Sequence, residues 1–148
     1  MLGAMIAAVL LGGVVAAEPQ PSFEAVNVCE RVPIDQVAAA VAGRALESRP
    51  INSKGMAAAR CVYGLEIDGA RRALVLWVNP AADYDDFHKS AAAPAAVRDL
   101  GDEAFEVIDP ETKRAQVTAR RRGKATVQVT ADRSPWAQAV ARLALTKF

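Results

Sequence analysis

Apolar residues recur along this chain with two periods. Between Pro33 and Ala42 they fall at helical spacing, with Ile34, Val37, Ala38 and Val41 on one stripe. Pro33 suits a first helical position and Gly43 the position just past a helix end, so this stretch is expected to be the first helix. From Cys61 to Ile67 the period drops to two. Cys61, Tyr63, Leu65 and Ile67 share one face, with Val62, Gly64 and Glu66 opposite. Asp68-Gly69 is a type I′ hairpin signal, and Arg72 to Val78 returns as a more uniformly apolar strand that Asn79-Pro80 ends.

A second helix is expected from Asp83, with Tyr84, Phe87 and Ala91 on one side and Pro94 at its end. Its acids Asp83, Asp85 and Asp86 gather in the first turn, where the helix dipole favours them. Leu100 to Phe105 reads as a turn feeding a strand over Ala104 to Ile108, closed by Asp109-Pro110. Ala115 to Arg122 and Lys124 to Thr130 form a second hairpin around Gly123, with alanine and valine on one face and Gln116, Thr118, Thr126, Gln128 and Thr130 on the other. Ser134-Pro135 then starts a C-terminal helix carrying Trp136, Val140 and Leu143. The expected order is α-ββ-α-β-ββ-α: an α+β fold with an antiparallel sheet of about five strands and helices packed on one face. Arg44 to Arg60 shows no clear period and is left without an element.

The N-terminus changes the picture. Leu2 to Val15 is an unbroken run of apolar residues and glycine, followed by Val15-Ala16-Ala17 and then Glu18-Pro19-Gln20-Pro21. Small residues before a polar, proline-containing stretch fit cleavage of a signal peptide after Ala17. The expected organisation is a signal peptide over 1–17, a flexible segment over 18–28 and a single domain over 29–148, in a periplasmic or secreted protein. No integral span is expected after leader removal; a retained anchor is the alternative.

Export gives meaning to the two cysteines of the chain. In an oxidising compartment an even count points to a disulfide, so Cys29 and Cys61 are expected to pair, with free thiols as the alternative. Such a bond would close a loop of about 33 residues and stabilise by roughly 3–4 kcal/mol. The redox spacing C-x-x-C is absent, and two cysteines with one distant histidine, His88, do not complete a zinc site. No metal and no cofactor are expected.

A net charge of +1 gives no global argument for a nucleic-acid or membrane partner. Positive charge is nevertheless crowded on the second hairpin, where Arg114, Arg120, Arg122 and Lys124 are candidates for docking an envelope protein or an anionic envelope component. The other reading is a solvated, aggregation-resistant hairpin tip. Nucleic acid is not expected, because no aromatics are interleaved with these cations. His88 lacks a serine elbow or a spaced carboxylate, and the acids around 83–86 and 99–103 lack the calcium-loop pattern, so no catalytic residue is identified. Tyr63, Trp77, Phe87, Phe105 and Trp136 are read as core, or else as the walls of an apolar ligand pocket.

Taken together, Cys29-Glu30-Arg31-Val32-Pro33, Arg60-Cys61-Val62-Tyr63 and Leu100-Gly101-Asp102-Glu103-Ala104-Phe105, followed by a valine-rich hairpin and a Leu/Ala helix, resemble small exported bacterial proteins and lipoproteins of unknown function. This chain departs from the lipoproteins in lacking a lipidation cysteine. The resemblance implies an exported location and brings no catalytic residues. The expected function is therefore a non-catalytic envelope domain that binds a partner or small ligand on the open sheet face or the basic hairpin. The alternatives are a purely structural or stress-related envelope protein and an unrecognised hydrolase.

Overall fold

The computed structural model describes residues 22–148, together with Gly12 and Gly13. The expected signal peptide therefore lies outside the described residues, apart from those two glycines. The elements are α1 (Val28–Arg31), α2 (Ile34–Ala40), β1 (Arg44–Asn52), β2 (Ala59–Ile67), β3 (Ala70–Asn79), α3 (Asp83–Ser90), β4 (Ala95–Ala96), β5 (Glu103–Ile108), β6 (Ala115–Arg121), β7 (Ala125–Ala131) and α4 (Ser134–Leu145). All strands join one antiparallel sheet in the order β1-β2-β3-β7-β6-β5-β4.

This corrects the expected five strands and their order: there are seven strands and four helices among the described residues. The missed strand β1 lies at the sheet edge and is exposed at seven of its nine positions. Without a buried face nothing selects alternating apolar residues, so the period that identifies a strand is missing. Pro50, which argues against a central strand, is tolerated at an edge. The other missed strand, β4, is only two residues long.

The N-terminal helix is also divided. Val32 and Pro33 separate α1, whose Asn27 cap accepts the Glu30 amide at 3.2 Å, from α2. At the end of α2 the left-handed position falls on Ala42, at φ 53°, instead of on Gly43. Gly43 is there for a different reason. A Cβ on it would stand 2.9 Å from Ile67 Cγ1 and 3.0 Å from the Glu66 carbonyl, so glycine lets the helix exit press against β2.

One sheet face builds the core. Tyr63, Leu65, Leu74, Leu76, Val117, Val127 and Val129 are fully buried against Val28 and Val37 of the N-terminal helices and Ala137, Val140 and Ala144 of α4. Tyr63 carries the one phenol in this interior; its hydroxyl donates to the Val32 carbonyl at 2.8 Å, and burial pushes its pKa up. Within the segment expected to be flexible, residues 22–28 are tied down. Phe23 is buried, its amide donates to the Ala57 carbonyl at 2.8 Å, and the Asn52 side chain donates to the Glu24 and Val26 carbonyls.

The helices do not all pack on one face, a further correction. Tyr84 of α3 packs on Phe105 and under Arg120, and both point to the face opposite α4, since they flank the core-facing Ala104 and Ala119. The Thr126 hydroxyl donates to the Ala81 carbonyl at 3.0 Å and fastens the start of α3 to this second face. α3 spans only eight residues, and much of that face lies beyond it.

Candidate functional site

Cys29 and Cys61 are joined in a disulfide, with 5.2 Å between their Cα atoms. The bond fastens α1 to β2 and seats a fully buried sulfur in the core, which makes it structural in position. Among the described residues no helix is long and apolar enough to cross a membrane, and no group of three or more His, Cys, Asp or Glu side chains is placed to hold a metal ion.

The basic residues of the second hairpin do not form one patch. Arg114 donates to Asp132 at 3.1 Å and to the Ala73 carbonyl at 2.8 Å, at the opposite end of β6 from Arg120. Arg120, only 13% exposed in its side chain, pairs with Glu103 and Asp85 and lies 4.7 Å over the Tyr84 ring. Arg122 shares Glu103 at 3.2 Å and remains 67% exposed. Lys124 is exposed at the tip. Arg121 donates to the carbonyls of Leu145 and Phe148 and so binds the negative end of α4.

Hydrogen bonding from Arg120 holds the Glu103 carboxyl below the ordinary carboxylate range, and the Arg120 and Arg122 charges add to this. A carboxyl lowered in the folded state adds stability above its unfolded pKa of about 4.3 and loses it as the pH falls through the folded value. The melting temperature of the native protein should therefore exceed that of Glu103→Gln at pH 7, and the gap should close below about pH 4. A gap that persists unchanged to pH 2.5 would mean that the ion pair is not its source.

His88 lies against aromatics, 5.0 Å from the Phe105 ring and 6.3 Å from Tyr84. Asp83 of the acidic cluster has its pKa raised, by burial first and by Asp86 second. Of the five aromatics considered for a pocket, Tyr63 is in the core, Trp136 packs against it, and Phe105 is buried under α3. Trp77 and Phe87, by contrast, face the second side of the sheet and line a cavity of about 370 Å³ with Met56, Asn79, Asp83 and Gln128.

Beyond α3 this second face is open. Strand register sets Arg60 beside Trp77, then Val62 beside Val75, then Gly64 beside Ala73, as three successive rungs pointing away from the core. Val62, Val75 and Trp77 are half-buried. Over Val62, Gly64 and Ala73 runs a trough of about 640 Å³, with Arg49, Glu47 and Arg71 at its sides.

Arg60 was not singled out in the sequence, yet its guanidinium lies 4.7 Å over the Trp77 ring. A signal for it existed. A two-residue turn at Asp68-Gly69 pairs Ile67 with Ala70, and counting back seven residues on each strand pairs Arg60 with Trp77. Comparison with protein-family models, with curated proteins and with solved structures gives no match to this chain.

Proposed function

We propose that this protein is an exported, non-catalytic binding domain that takes its ligand or partner on the open face of the sheet. The observation that carries this reading is the group of adjacent half-buried apolar side chains Val62, Val75 and Trp77 on β2 and β3, on the face opposite the core. A polar, solvated face would be the expected composition if that side met only water. Export is supported by the apolar N-terminal run and by the disulfide, which persists in oxidising compartments. The basic hairpin is the weaker docking candidate, because Arg114 and Arg120 spend their charge on internal carboxylates.

The test is native, non-reducing mass measurement of protein recovered from its own host. The wild type and an Arg122→Glu/Lys124→Glu variant should carry additional bound mass, and a Val75→Asp variant should not. Recovery of bare wild-type protein would favour a purely structural role. Loss of the bound mass in the hairpin variant alone would move the site to the hairpin.

A further inference from the structure

We propose that Arg60 anchors the head group of a single-chain anionic amphiphile, an alkyl carboxylate or alkyl phosphate, whose chain lies on the strip Trp77–Val75–Ala73. This rests on the open-face reading and names the ligand class for it.

The first argument is charge. Four arginines of the domain are half-buried: Arg60, Arg72, Arg114 and Arg120. Three have carboxylate partners, Arg72 and Arg114 on Asp132 and Arg120 on Glu103 and Asp85. Arg60 has no ion pair or hydrogen bond among the described residues. Its Nε is buried and unpartnered, as are those of Arg72 and Arg120, but theirs belong to guanidinium groups already held by carboxylates. Trp77 stacking orients the Arg60 plane while leaving its donors unused. A planar fork held in this way suits bidentate recognition of carboxylate or phosphate oxygens. Arg49 lies across from Val62 on the same face, diagonal to Arg60, and is likewise without a carboxylate partner among the described residues. Against the Asp83 carboxylate that lines the cavity beside Trp77, the unpaired Arg60 and Arg49 leave this part of the strip positive on balance and complementary to an anion.

The second argument is the shape of what adjoins it. From Trp77 to Ala73 is four residues of one strand, a span of about 13 Å. Along that span the floor drops from Val62 and Val75 to Gly64 and Ala73. Gly64 has no side chain of its own; the Glu47 side chain reaches over it, with its Cγ 3.1 Å from where a Cβ would stand, and pairs with Arg71, so the open strip ends at that ion pair. A narrow, straight, shallow apolar strip, with the unpaired Arg60 at one end, Arg49 one rung along and the Arg71–Glu47 ion pair closing the other end, fits an alkyl chain with an anionic head. A bulky ring system would find no depth there.

The experiment uses the disulfide-bonded protein with Trp136→Phe, which leaves Trp77 as the sole tryptophan. Its fluorescence is titrated with dodecanoate, dodecyl phosphate, dodecyltrimethylammonium and inorganic phosphate, each amphiphile below its micelle concentration. Dodecanoate or dodecyl phosphate should bind saturably, Arg60→Gln should weaken that binding at least tenfold, and Arg60→Lys should restore part of it. Equal affinity for dodecyltrimethylammonium, or binding unchanged by Arg60→Gln, would overturn the proposal. Inorganic phosphate saturating in the same concentration range would overturn the role of the chain. If neither anionic amphiphile binds while Val75→Asp still strips the bound mass from host-derived protein, the ligand class falls and the open-face reading stands.

Discussion

Cys29→Ala/Cys61→Ala is expected to lose about 3–4 kcal/mol of stability and roughly 10 °C or more in melting temperature. The bond closes a ring across a sequence separation of 32 residues. Opening that ring returns conformational freedom to the unfolded chain, which is the larger part of the effect in the chain-entropy account. A packing loss adds to it, because Cys61 is fully buried beside α1. Within the ring lie α2, which buries Val37 and Ala38, and the edge strand β1, whose own burial is slight. Thermal unfolding of the double variant, and of the wild type with and without reductant, checks this. The two ways of removing the bond should agree, and a loss of less than about 1 kcal/mol would mean that the reduced unfolded chain already keeps this segment together.

Gly101→Ala should cost about as much, roughly 3–4 kcal/mol, from two sources that add. Gly101 has φ +60°, where an L-residue is strained, and an added Cβ would stand 2.6 Å from the Arg120 carbonyl and 2.9 Å from Leu145 Cδ1. The backbone carbonyl cannot move aside, because it accepts the Asp102 amide at 2.8 Å. Gly123→Ala is the control. It has a similar φ of +69° but nothing within 4 Å of a new Cβ, so only the conformational part of about 1–2 kcal/mol should appear. Denaturant unfolding of both variants separates the two sources; equal losses would show that the close approach to Arg120 relaxes freely.

This glycine gives physical meaning to Leu100-Gly101-Asp102-Glu103-Ala104-Phe105. Leu100 and Ala104 enter the core, and Gly101 passes under β6. Asp102 accepts the Arg122 amide at 2.7 Å, Glu103 holds Arg120 and Arg122, and Phe105 receives Tyr84 and His88. Every position joins β5 to something distant in sequence. The stretch could be recognised as a unit from its residues, but its partners could not.

The same distinction separates what was legible in the sequence from what was not. The β2–β3 hairpin could be read because burial of one face imposes alternation on β2 and because Asp68 and Gly69 both take the positive φ that a type I′ turn demands. β1 carries no such imprint. The side taken by α3 was hidden because Tyr84, Phe87 and Ala91 mark the side of the helix that meets the sheet without marking which of the two sheet faces it meets. The basic hairpin looked like a patch because Arg120 finds Asp85 at a separation of 35 residues and Arg114 finds Asp132 at 18, pairings that no local pattern announces. Arg60 was overlooked for the opposite reason: it is notable through a partner it lacks.

The ring closed by Cys29 and Cys61 also decides how the folded chain bears tension. Force applied at positions flanking the ring passes through the sulfur–sulfur link, so α2 and β1 hang outside the load path. When the domain gives way, those 32 residues add nothing to its extension, which is shorter by about 110 Å than that of the reduced chain. With the disulfide intact the protein would behave under strain as a tether with its slack already sewn in.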